Sequence, residues 1–166
     1  MAKALIIVDM QNDFCEGGAL AVPGGRDLAR RIAACLKDKS FNDYDHLIFT
    51  QDWHIDPGDH FSDNPDYKTT WPEHCVANTP GAAICEELEE ASLGWWRITK
   101  GMYDAGYSGF SNNKLREIIE TIGIEEVDVC GIAREYCVKQ TAQDALYLGC
   151  KTRILHALCV GVHDAV

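Results

Sequence analysis

The sequence predicts an α/β protein, a three-layer α/β/α sandwich around a central, mainly parallel sheet. Three observations carry that expectation. Ala4-Leu5-Ile6-Ile7-Val8 is a continuous apolar run, without the alternation of a half-exposed strand, and reads as a strand buried on both faces. Amphipathic helical stretches alternate with such runs, which specifies parallel pairing and helices on the sheet faces. The 166 residues suffice for one domain with one sizeable core.

Taken in order, the first strand ends at Asp9. Asp27 is positioned to cap a helix whose buried stripe is Leu28, Ile32, Cys35 and Leu36, with Arg and Lys outward. A second strand covers about residues 46–50. Residues 51–81 are polar and aromatic and hold four of the five prolines; a loop this long without regular structure is usually functional. A short acidic helix at roughly 82–90 precedes a third strand at 95–99. Ser111 or Asn112 opens a helix carrying Leu115, Ile118, Ile119 and Ile122, closed by Gly123. A fourth strand occupies 127–132. The chain then turns into a helix beginning near Glu135, with Cys137 in its first turn. Val138, Ala142, Ala145 and Leu146 form its apolar face, and Gly149 stops it. A fifth strand spans 152–158.

Bulk properties exclude several functions. A formal charge of −11 argues against nucleic acid and anionic membranes as partners. No signal-like segment opens the chain and no apolar run reaches membrane-spanning length, so a cytoplasmic protein is expected. The eight cysteines contain no C-x-x-C pair and read as reduced thiols, mostly packing atoms.

In parallel sheets, ligands bind beyond the carboxyl ends of the strands. Asp9, Asp52 with His54, Lys100 and Cys137 follow strands one to four in turn, so all should meet on one rim. Taken alone, each has an ordinary structural explanation: a turn-capping Asp, a hydrogen-bonded His, a solvated Lys, a small core Cys. Their convergence favours chemistry. Unpaired amides and the helix dipole at Cys137 favour its thiolate, which makes it the candidate nucleophile. Asp9 would take the thiol proton, with Lys100 holding Asp9 ionised. Full activation of a thiol gains only about 2 kcal/mol at neutral pH, whereas one oxyanion donor is worth roughly 3–4 kcal/mol. The amides of Ala133 and Cys137 should therefore matter at least as much as the base. Asp52-x-His54 on extended chain points both side chains one way, and His60 and His74 are available to complete a metal site. Oxygen and nitrogen ligands suit zinc, iron(II) or manganese.

Val8-Asp9-Met10-Gln11-Asn12-Asp13-Phe14, Gln51-Asp52-Trp53-His54, Trp71-Pro72-Glu73-His74-Cys75, Lys100-Gly101 and Gly131-Ile132-Ala133 with Cys137-Val138 resemble the isochorismatase-like cysteine hydrolases. Within that family they are similar to the nicotinamidase/pyrazinamidase branch, in order, over nearly the whole chain. The resemblance implies hydrolysis of nicotinamide to nicotinate and ammonia, and of pyrazinamide to pyrazinoate, through a thioester. It implies Asp9, Lys100 and Cys137 as catalytic triad, and Asp52, His54 and His74 as metal ligands with His60 a further one. It also implies Phe14 and Trp71 around the pyridine ring, and a cis peptide between Ile132 and Ala133 that aims the Ala133 N–H at the oxyanion.

Arg134-Glu135 stands where the family usually has Thr-Asp, and Ala157 where an acidic residue is common. The sequence stops at Val166, so a single domain over 1–166 lacking the family's last helix and strand is expected. The partner expected is a small amide, with a homo-oligomer left open. Two competing functions are an amidohydrolase of the same family acting on another small amide or N-carbamoyl compound, and a catalytically silent metal-binding relative.

Overall fold

The structure, a computed structural model, describes residues 1–164. Its strands are β1 (Ala2–Val8), β2 (His46–Asp52), β3 (Trp96–Lys100), β4 (Ile124–Ile132) and β5 (Lys151–Val160). All pair in parallel in the order β3-β2-β1-β4-β5. The helices are α1 (Gly25–Lys37), α2 (Glu86–Ser92), α3 (Asn113–Ile122) and α4 (Lys139–Tyr147). The chain winds outward from β1 to β3, then crosses back to β4 and β5. Right-handed crossovers in opposite directions put α1 and α2 on one face and α3 and α4 on the other. The three-layer sandwich is as expected, and the strand order reverses between β1 and β4. That is where such sheets open a crevice.

The central strand explains the core. Residues Ala4 to Val8 of β1 have no exposure at all, because helices cover both faces. At Gly131 of β4 the backbone has φ of 120°, and a Cβ would run into the Val8 carbonyl. Only glycine lets β4 approach β1 there.

Helix ends follow side-chain chemistry, with corrections. In α3, Asn112 Oδ1 accepts from Lys114 N at 3.0 Å and Gly123 closes the helix in the left-handed region, as expected. In α1 the cap is not Asp27, which pairs instead with Arg31 at 2.9 Å. The Glu16 carboxylate, brought in from a preceding turn, accepts from Gly24 N at 2.7 Å and Arg26 N at 2.9 Å. Cys35 is only partly buried, and Ala29 completes the stripe. The acidic helix starts late, at Glu86, because the preceding segment is needed as extended chain. Asn12 N donates to Ala83 O at 3.0 Å, and Gln11 bridges Ile84 antiparallel. On α4, Leu146 is 57% exposed, and Thr141 takes the buried place beside Val138, Ala142 and Ala145.

The long loop holds only single 3-10 turns, Gly58–His60 and Pro80–Ala82. Bridges between His54 and Val76 and between Phe61 and Trp71 fold it back over the rim. All eight cysteines are free, and seven are buried. Among the described residues no element follows β5, and no helix is long and apolar enough to cross a membrane.

Candidate active site

Asp9 leaves β1 with φ of 51°, a left-handed conformation unusual for a residue with a side chain. Thr50 Oγ1 donates to its Oδ1 at 2.7 Å. The β2–β3 register sets Asp52 beside Lys100. Lys100 is fully buried, and its Nζ donates to Asp9 Oδ2 at 2.8 Å, Asp52 Oδ1 at 2.6 Å and the Gly106 carbonyl at 3.0 Å. All three ammonium protons are thereby used. Cys137 Sγ lies 3.7 Å from the same Nζ. One carboxylate oxygen from each of Asp9 and Asp52 and the sulfur lie within 4.8 Å of one another.

Cys137 does not open an ordinary α-turn. Residues Arg134–Val138 form a wide π turn ahead of α4, with Val138 N donating to Ala133 O at 3.1 Å. The Ile132–Ala133 peptide is cis, as the resemblance implied.

Burial pushes the Cys137 thiol well up; Lys100 opposes this, and Asp9 and Asp52 add to it. Desolvation thus works against the thiolate that the helix end alone would favour. Burial likewise raises Asp9, against the pull of Lys100 and with a push from Asp52. Burial would lower Lys100, but Asp52 and Asp9 hold it well above its ordinary value. The centre therefore pairs a protonated sulfur with a carboxylate made more basic than usual.

The second half of the site is a histidine cluster. His54, His60 and His74 each bring a ring nitrogen within 4.8 Å of the others, all buried. Asp52 Oδ2 lies 3.5 Å from His54 Nε2 and 3.9 Å from His74 Nε2. His54 Nδ1 donates to the Gly101 carbonyl at 2.6 Å and His74 Nδ1 to the Pro72 carbonyl at 2.7 Å. Both rings thus turn an Nε2 lone pair inward. His54 Nε2 and His60 Nδ1 are buried with no hydrogen-bond partner. A buried orphan acceptor costs about 1–3 kcal/mol. Burial, then the charges of His74 and His54, lower His60 to about 4, so its imidazole is neutral and able to ligate. One carboxylate and three imidazoles, two of them with an orphaned nitrogen, fit a divalent cation of the zinc, iron or manganese type. Cys75, left out of this set on sequence grounds, is buried with its N–H bonded to Asp13 Oδ2 at 2.8 Å.

A cleft of about 350 Å³, counted out to its open mouth, is lined by residues of both groups. Asp52, His60, His74, Ala133 and Cys137 all line it. Phe14 and Trp71 line it together with Leu20, Tyr107, Tyr136 and Val162, which sequence reasoning missed. Trp71 Nε1 donates to Tyr107 Oη at 3.0 Å, and the Tyr136 ring meets Trp71 edge-on at 5.1 Å. The aromatic character of residues 107 and 136, one beyond Lys100 and one beside Cys137, was the available signal. Gln11 was missed too. Wholly buried just past β1, it extends the sheet ladder by its side chain. Its Nε2 donates to Asp52 O and Ala82 O, and its Oε1 accepts from Asp52 N, each at 2.8 Å.

The isochorismatase domain model matches residues 3–165. The nicotinamidase/pyrazinamidase of Mycobacterium tuberculosis is 49% identical over 165 residues, covering 96% of this chain and 87% of that protein. Pyrazinamidase of Pyrococcus horikoshii in complex with zinc superposes with a TM-score of 0.77 at 34% identity, over 98% of this chain and 88% of that one. Yeast nicotinamidase bound to the inhibitor nicotinaldehyde gives 0.83 at 29% identity, over 98% and 89%.

Proposed function

The chain belongs to the isochorismatase family, and from that premise we propose that it is a metal-dependent nicotinamidase. It converts nicotinamide to nicotinate and ammonia, a salvage step for NAD, and pyrazinamide to pyrazinoate. The observation that carries this is the buried contact of Lys100 with Asp9, Asp52 and Cys137 beside three histidines, along one aromatic cleft.

In this reading Asp9 is the base. Its carboxylate takes the proton of Cys137 Sγ, and the sulfur attacks the carboxamide carbon. Lys100 holds Asp9 in place and stabilises the negative charge that passes between carboxylate and sulfur. The oxyanion is held by the Ala133 and Cys137 amides. The tetrahedral adduct collapses to a thioester as Asp9 returns its proton to the departing ammonia. Asp9 then deprotonates water, which attacks the thioester carbon; the Cys137 thiolate leaves and is reprotonated. Asp52, His54, His60 and His74 would hold a divalent cation, which would supply Lewis acidity to the substrate cleft. Phe14 and Trp71 hold the flat ring between them.

The described residues form one such domain, and eight free thiols suit a reducing cytoplasmic compartment. The test is ammonia release from nicotinamide by metal-loaded protein. Cys137→Ala and Asp9→Asn should leave only a trace; substantial release by either would remove that residue from the mechanism.

A further inference from the structure

Three consecutive side chains on the turn that carries the nucleophile all reach one short segment beyond β5. Arg134 Nη1 donates to Asp164 Oδ1 at 2.7 Å and Oδ2 at 2.9 Å, and its Nη2 to the Cys159 carbonyl at 2.7 Å. Glu135 Oε1 accepts from Val162 N at 2.6 Å. Tyr136 Oη lies 3.0 Å from His163 Nε2. Asp164 also accepts from Gly161 N at 2.8 Å, closing the segment on itself. At Gly161 the approach is so close that a Cβ would strike the Glu135 carboxylate. Apart from the bond to the Cys159 carbonyl, these ties fall beyond β5, which ends at Val160. Their effect is to fix Val162, the residue of this segment that lines the cleft.

We propose that residues 161–164 are a strap, and that Arg134 and Glu135 are positioning residues that seat Val162 as a wall of the substrate cleft. This rests on the nicotinamidase reading and adds a specificity device to it. The strap is anchored to the turn bearing the nucleophile, so the wall and the attacking sulfur are placed by one piece of backbone. With Val162 so held as one wall, shortening it or loosening the strap should widen the room for a fused bicyclic ring relative to a single six-membered one. One guanidinium holds two partners at once, Nη1 on the Asp164 carboxylate and Nη2 on the Cys159 carbonyl, a spread that a lysine at 134 would not reproduce.

The test uses metal-loaded full chain and two amides, nicotinamide and the bulkier quinoline-3-carboxamide. Ammonia release from nicotinamide by the wild type tests the underlying reading by itself. Arg134→Ala and Asp164→Ala should each raise KM for nicotinamide about tenfold with kcat within about twofold, the pattern of lost binding without lost chemistry. The double variant should be no worse than either single one, because the two ends form one unit. Both should gain relative activity on the bicyclic amide, as Val162→Ala should, while Arg134→Lys falls between. A drop in kcat at unchanged KM, an Asp164→Ala variant that behaves as wild type, or an unaltered ring preference would each overturn the strap. If the wild type releases no ammonia, nicotinate binding followed by tryptophan fluorescence replaces KM. Equal affinity in wild type and Arg134→Ala, or no binding by either, then overturns the proposal.

Discussion

Replacing Gln11 by Met should damage the protein at two levels. The change keeps most of the volume and removes the amide. Three bonds of 2.8 Å are lost, one accepted from Asp52 N and two donated to Asp52 O and Ala82 O. Ala82 O retains a second donor, Gln51 Nε2 at 2.9 Å, so it is not orphaned. The N–H and C=O of Asp52 lose the groups that satisfy them, in a place with no exposure to water. Each buried unsatisfied group costs about 1–3 kcal/mol, so a loss of roughly 2–5 kcal/mol is expected. Asp52 is also the carboxylate among the proposed ligands, and loosening a ligand's support weakens cation affinity by about 10–100-fold. Urea unfolding of the cation-free protein reads the first effect, and zinc titration the second. Gln11→Glu should recover little, since a carboxylate accepts from Asp52 N but donates to neither carbonyl. A Met variant within about 0.5 kcal/mol of wild type, with unaltered zinc affinity, would refute the view that this side chain continues the sheet where β1 stops.

Gly131→Ala should cost more than about 4 kcal/mol, seen as insoluble protein or a collapsed urea midpoint, because the added methyl meets the Val8 carbonyl. Asp128 tests the distant end of the sheet: Arg153 donates to it at 3.0 and 2.7 Å and Tyr44 at 2.6 Å. Burial opposes its ionisation, but these partners outweigh burial and lower its carboxyl below the ordinary value. A depressed folded pKa stabilises above the unfolded value of about 4 and is lost as pH falls through the folded one. Asp128→Asn should therefore be about 1–3 kcal/mol less stable at pH 7, with the gap closing in more acid solution; a pH-independent gap in urea midpoints would count against the pairing. Chelation should lower the thermal midpoint by several degrees and added zinc restore it, since His54 Nε2 and His60 Nδ1 otherwise stay unpaired. An unmoved midpoint would speak against the ligand set.

Much of this was legible in the chain because parallel sheets are simple in one respect: the residues just past every strand land on the same rim. Asp9, Asp52, Lys100 and Cys137 could be gathered from strand ends alone, and α3 carried its own stop signs in Asn112 and Gly123. The features that stayed hidden depend on contacts between segments far apart in sequence. Glu16 caps α1 only because a tight turn returns it to Gly24. Gln11 is an ordinary polar residue until β1 ends and leaves Asp52 without a neighbour. Local reasoning favoured a thiolate at Cys137, since it counted the helix end and could not count the burial that outweighs it. Val162 entered the cleft through side chains that had looked only like departures from a pattern.

Asp52 gives one oxygen to the ammonium of Lys100 and turns the other toward His54 and His74. Electron density drawn off at one oxygen is felt at its twin. Exchanging the ion for one of different charge density should therefore retune proton transfer at the far end without touching any residue there. A lineage that gave up the ion would have to renegotiate what position 52 offers Lys100, because every substitution at that one site is read twice.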